Sequence, residues 1–121
     1  MTKRILVIED TEDNRQIVRD LLTSVGYEIL EAVDGGAGVE AAIRERPDLI
    51  LMDIQLPVFD GYEATRRIKA HADTRHIPVI AVTSYALSGD EDKARAAGCD
   101  GYLAKPFSPR QLLSMVRERL G

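Results

Sequence analysis

Five short runs rich in aliphatic and β-branched residues recur along the chain, separated by segments of helical period, and this alternation most restricts the fold. The runs are Ile5 to Ile8, Tyr27 to Ala32, Leu49 to Met52, Val79 to Val82 and Tyr102 to Ala104. Strands that alternate with helices run parallel, and a parallel sheet is apolar on both faces and needs helices over each. The first, third and fourth runs are almost continuously apolar, as central strands are, while Glu28 and Glu31 interrupt the second like a sheet edge. The expected architecture is α/β: a single (βα)5 unit with a doubly wound, five-stranded parallel sheet.

Helix punctuation between the runs agrees with this. Thr11 can cap a first helix with the stripe Ile17, Val18, Leu21, Leu22 and Val25, and Gly26 supplies its left-handed stop. Asp34 and Gly35 open a second helix, with Val39, Ala42 and Ile43 inward and Pro47 beyond its end. A third follows Asp60 and Gly61, with Tyr62, Thr65 and Ile68 on one side. A fourth can start at Ser88 with Glu91 in capping-box position, and it has mostly alanines to bury, so weak anchoring is expected. Ser108 and Pro109 begin the last, which packs through Leu112, Leu113, Val116 and Leu120.

Length and charge bound the function. At 121 residues the chain suits one domain, residues 1–121, with no room for an output domain. Its apolar runs fall far short of the ~20 residues that span a bilayer, and no signal peptide is read before Glu9 and Asp10, so a cytoplasmic, membrane-free protein is expected. The formal net charge of −4 argues against a nucleic-acid partner, and Arg66, Arg67 and Lys69 read as a solvated helix face. Cys99, the single cysteine, reads as a small buried side chain.

In a doubly wound sheet, ligands bind beyond the carboxyl ends of the strands. Glu9 and Asp10 stand after the first strand, Asp53 after the third, Thr83 and Ser84 after the fourth, and Lys105 and Pro106 after the fifth. Three clustered carboxylates repel unless a cation holds them, and a small set of hard oxygen ligands suits Mg²⁺, which keeps several waters and favours phosphate-bearing partners. Lys105 offers a point charge to phosphoryl oxygens and Thr83 a donor, so Asp53 is the candidate nucleophile, forming an acyl phosphate.

Glu9-Asp10, Asp53 within Asp48-Leu-Ile-Leu-Met-Asp-Ile-Gln-Leu-Pro57, Asp60-Gly61, Thr83 and Lys105-Pro106 together resemble the receiver domains of bacterial two-component response regulators, over the length from Ile5 to Leu120. The resemblance implies the flavodoxin-like strand order 2-1-3-4-5. It also implies Mg²⁺ held by Glu9, Asp10, Asp53 and the backbone carbonyl of Gln55, Lys105 paired with the phosphoryl group, and a cis Lys105-Pro106 bond. By the same resemblance Thr83 and Tyr102 are switch residues, and Gln55 and Tyr85 tune the phosphate lifetime. Glu9 stands where many relatives carry aspartate. The implied function is a phosphorelay switch: a sensor histidine kinase or histidine phosphotransfer protein phosphorylates Asp53. The face made by the fourth helix, fifth strand and fifth helix then changes shape for a downstream protein effector. A monomer or transient dimer is expected, which catalyses only its own phosphorylation and dephosphorylation.

Two other readings share the fold. A phosphatase of the haloacid dehalogenase type, which forms and hydrolyses an acyl phosphate, carries a second aspartate two residues after the nucleophile, where Gln55 stands here. A nucleotide or flavin module needs a neutral phosphate loop after the first strand, where Glu9-Asp-Thr-Glu-Asp13 would repel phosphate. His71 and His76 lack partners at ligand spacing, and Gly35, Gly36 and Gly38 read as turn chemistry.

Overall fold

The structure is a computed structural model and describes residues 2–84 and 90–120. Its elements alternate as expected: β1 (Arg4–Ile8), α1 (Glu12–Ser24), β2 (Glu28–Ala32), α2 (Gly35–Glu45), β3 (Leu49–Asp53), α3 (Gly61–Ala70), β4 (Val79–Thr83), α4 (Asp90–Ala97), β5 (Gly101–Ala104) and α5 (Pro109–Leu120). All strand pairings are parallel, in the order β2-β1-β3-β4-β5. Successive residues of a strand point to opposite faces, and the core divides accordingly. Leu6, Ile8, Ile50 and Met52 pack with Ala42, Ala64, Ile68 and Ala94 of α2, α3 and α4. Ile5, Val7, Leu49 and Leu51 pack with Leu22, Leu112 and Val116 of α1 and α5.

Several local expectations change. Ile17 is 64% exposed and Val25 39%, whereas Leu22 and Arg15 are buried. At about 100° per residue Ile17 lies about 140° from the buried Leu22, at the far edge of the apolar arc, and Val25 stands at the C-cap, past the last helical residue. Arg15, seven residues and about two turns before Leu22, shares the buried side. Thr11 occupies the N-cap of α1, but its side chain makes no capping hydrogen bond. On α2 the buried positions are Gly35, Gly38, Ala41 and Ala42, with Val39 packed partly against the core. A Cβ at Gly38 would stand 2.6 Å from Ile8 Cδ1, so the close approach of α2 to β1 selects small residues there.

Elsewhere the capping reads as expected. Asp34 and Asp60 accept from the backbone N–H groups of Ala37 and Glu63, and Ser108 exchanges reciprocal hydrogen bonds with Gln111. α4 buries Ala94 and Ala97, and Cys99 is a buried free thiol. Ser88 and Tyr85 lie outside the described residues. No helix among the described residues is long and apolar enough to cross a membrane.

Candidate functional site

The order of strands brings the ends of β1, β3 and β4 side by side at one edge of the sheet. Asp53, the last residue of β3, pairs in register with Val82, one residue before Thr83. Ile54 N–H donates to Val82 O, and Gly61 N–H donates to Ile54 O at 2.8 Å, so the chain turns sharply behind Asp53 into α3. Lys105 N–H donates to Thr83 O at 2.7 Å, which fixes the exit of β5 against the end of β4. The Lys105-Pro106 peptide is cis, as the resemblance implies.

Glu9, Asp10 and Asp53 meet here, each with one carboxylate oxygen within 4.8 Å of the others'. Glu9 and Asp53 are buried and Asp10 is exposed, so the trio has an inner pair and an outer, hydrated member. Lys105 Nζ lies 2.7 Å from Glu9 Oε1 and 3.5 Å from Asp53 Oδ2. Asp53 Oδ1 accepts from the backbone N–H of Gln55 at 3.0 Å. Thr83 is 2% exposed at the end of β4. Beside these groups opens a cleft of about 470 Å³, its walls including Ile17, Val18, Phe107 and Leu112.

Two residues without a clear site signal in the sequence, Asn14 and Arg15, also belong to the site. Asn14 Nδ2 donates to Glu9 Oε1 at 3.1 Å, and Arg15 Nη1 donates to the backbone carbonyl of Glu9 at 2.7 Å. Their signal in the sequence is weak, since polar residues in the opening turns of a helix are usually solvated. Tyr102 packs against the α2–α3–α4 side of the core. Its hydroxyl is buried and has no hydrogen-bond partner among the described residues.

Burial, reinforced by a hydrogen bond with Glu9, raises Asp53 to about 7. Burial opposes ionisation of Glu9 too, but hydrogen bonds from Asp53 and Lys105 outweigh it and hold Glu9 low, at about 2. The two titrate as a unit, with ionisation disfavoured at Asp53 and favoured at Glu9. Asp10 is raised by its hydrogen bond to Glu9 and by burial.

All-oxygen donors, two buried and one open to water, fit a hard divalent cation that retains part of its hydration, as Mg²⁺ does. A cation must displace the proton on Asp53, so binding is expected to tighten as pH rises through about 7 and to release protons into buffer. Calorimetric titration with MgCl₂ between pH 6 and 8, in buffers of different ionisation enthalpy, checks both points.

Residues 5–117 match the family model of the response regulator receiver domain. The chain is 43% identical over 121 residues to the polar-differentiation response regulator DivK of Brucella ovis, covering 100% of this chain and 98% of that protein. Among solved structures it is similar to the receiver domain of a sensor histidine kinase from Pseudomonas aeruginosa, crystallised with a magnesium ion in the active-site cleft. The two are 41% identical with a TM-score of 0.93, covering 100% of this chain and 99% of that one. The chemotaxis protein CheY4 of Vibrio cholerae matches at 28% identity and a TM-score of 0.92, covering 98% and 99%.

Proposed function

This chain belongs to the response regulator receiver domain family, and from that premise we propose that it is a phosphorylation switch of a two-component phosphorelay, with Asp53 as phosphoacceptor. The observation that carries this reading is the placing of a buried carboxylate at a strand end, with an ammonium 3.5 Å from one of its oxygens and two further acids beside it. An Asp53 oxygen attacks the phosphorus of a phosphohistidine on a sensor histidine kinase or histidine phosphotransfer protein. The new O–P bond forms as the N–P bond breaks, and the imidazole leaves.

Glu9, Asp10, Asp53 and the Gln55 backbone carbonyl would hold Mg²⁺, which when bound supplies charge neutralisation for the phosphoryl oxygens. The Gln55 N–H orients the Asp53 carboxylate. Lys105 meets phosphoryl charge with its ammonium. Thr83 donates to a phosphoryl oxygen, and Gln55 and Tyr85 tune how long the phosphate survives. The chain processes no other substrate, and turnover of a phosphate ester beyond one equivalent per chain would contradict that.

The signal passes through Thr83 and Tyr102 to the face formed by α4, β5 and α5, where a downstream protein docks in the cytoplasm. Two features support this route. The Tyr102 hydroxyl is buried with no hydrogen-bond partner among the described residues, which is costly and suits a side chain with a second position. The short α4 is held through two alanines, so moving it disrupts little packing.

The test is an NMR titration with beryllofluoride, which mimics a phosphoryl group on a carboxylate. Mg²⁺-dependent shifts at Thr83, Tyr102 and along α4 are expected. Shifts restricted to the neighbourhood of Asp53 would mean a phosphoacceptor without this relay.

A further inference from the structure

Among the described residues one guanidinium is buried, that of Arg15, close to the acidic trio, and neither its charge nor its position is explained by packing alone. Arg15 is 9% exposed. Its Nε donates to Glu31 Oε1 on the edge strand β2 at 3.2 Å. Its Nη2 bonds to the Glu12 carboxylate in the first turn of α1. Its Nη1 turns the other way and donates at 2.7 Å to the carbonyl of Glu9. Arg19 binds the same two acids from the next turn, with Nη1 2.9 Å from both Glu31 oxygens and Nη2 3.5 Å from Glu12. The fork is therefore anchored on its outer side by two carboxylates, and its inner donor is aimed at one peptide group.

That peptide group joins the two acids that follow β1. Glu9 N–H is the last rung toward β2, donating to Ala32 O at 3.1 Å. Beyond it the chain leaves the sheet, and the Arg15 bond takes up the Glu9 carbonyl. In an extended chain neighbouring side chains point to opposite sides, yet Glu9 and Asp10 both reach toward Asp53.

We propose that Arg15 is a positioning residue for the divalent-cation site, locking the Glu9–Asp10 peptide so that both carboxylates converge with Asp53. This rests on the reading of the trio as the Mg²⁺ site of a receiver. It gives an unusual sign. A buried positive charge beside the site repels an incoming cation, so if charge alone mattered, its removal would tighten Mg²⁺ binding. Loss of a bond that orients ligands weakens it, by about tenfold where the outer partner of a ligand is removed.

The experiment is calorimetric titration of the full chain with MgCl₂ at pH 8, for wild type, Arg15→Gln and Arg15→Lys. Arg15→Gln is expected to raise the Mg²⁺ Kd about tenfold. Arg15→Lys, which keeps the charge but not the fork, should fall between that variant and wild type. An Arg15→Gln Kd equal to or tighter than wild type overturns the proposal. If Arg15→Gln does not fold, an unchanged Kd in Arg15→Lys overturns it instead.

A second readout is phosphoryl uptake from acetyl phosphate against Mg²⁺ concentration. The half-saturating Mg²⁺ should rise while the maximal rate stays within about twofold, because the groups that touch the phosphoryl group are intact. A maximal rate that remains depressed at saturating Mg²⁺ would show Arg15 acting on the chemistry itself and would refute a positioning role. Should wild type bind Mg²⁺ yet take no phosphoryl group, the switch reading fails, while the Kd comparison still decides the role of Arg15.

Discussion

Asp53→Asn is expected to abolish phosphoryl uptake from acetyl phosphate or a phosphohistidine donor, while the fold is kept or strengthened. The amide preserves the shape of the side chain and can still accept from the Gln55 N–H, but its oxygen is a poor nucleophile. Intact-mass spectrometry reads the loss directly, since the wild type gains one phosphoryl mass and the variant none. Retained uptake would move the acceptor elsewhere and undo the proposed function.

The same substitution has a consequence for stability. Asp53 is raised in the fold to about 7, above its ordinary value of 3.8. A carboxyl raised in this way binds its proton more tightly folded than unfolded. Its stabilising contribution is complete below about pH 4 and is lost as pH rises through about 7. Glu9, held low at about 2, contributes the opposite slope, present above about 4.5 and lost as pH falls toward 2. Without Mg²⁺ the wild type should therefore lose stability from pH 5 to 8, and Asp53→Asn should not. Thermal melts of both proteins across this range, with and without MgCl₂, check the difference, and Mg²⁺ should erase most of it for wild type only.

Gly61→Ala is the second large effect. A Cβ at Gly61 would lie 2.8 Å from Ile54 Cα and closer still to the Asp53 carbonyl oxygen. Both neighbours are backbone, so neither can swing aside, and the Gly61 N–H to Ile54 O bond holds the two segments together. Relief requires moving the end of β3, which carries Asp53. A cost of about 3 kcal/mol or more is expected, as for other overpacked backbone contacts, together with slower phosphoryl uptake. Gly36→Ala is the control. Its nearest neighbour would be Asp34 Oδ1 at 3.4 Å, and the gain in helix propensity should leave it neutral or slightly more stable. Urea titrations of the two variants separate these outcomes.

The residues that could be placed from the sequence are those whose surroundings depend on their own strand. Leu49 to Met52, within the alternation of strands and helices, reads as a strand covered on both faces, which places the carboxylate that follows it at a sheet edge beside buried surface. Glu9-Asp10 and Lys105 followed by the same argument. Arg15 could not be placed this way. Its burial depends on Glu31, sixteen residues on and in another element, and in helical register alone an arginine there looks like one more solvated side chain. Ile17 failed for the complementary reason. Its apolarity is visible along the chain, but the phase of the helix, which turns Arg15 and Leu22 inward and leaves Ile17 on the wall of the cleft, is not.

The element order, the central strands and the acids, hydroxyl and ammonium at the strand ends are legible in the amino-acid pattern. These are local matters, governed by the period-two and period-3.6 burial of short segments. How the acids share a proton, which of them Lys105 approaches most closely, and the burial of the Tyr102 hydroxyl come from the packing of distant segments. Those outcomes depend on distances of a few ångströms between residues as much as 96 positions apart. Electrostatic and hydrogen-bond energies change steeply over such distances, and no pattern along the chain encodes them.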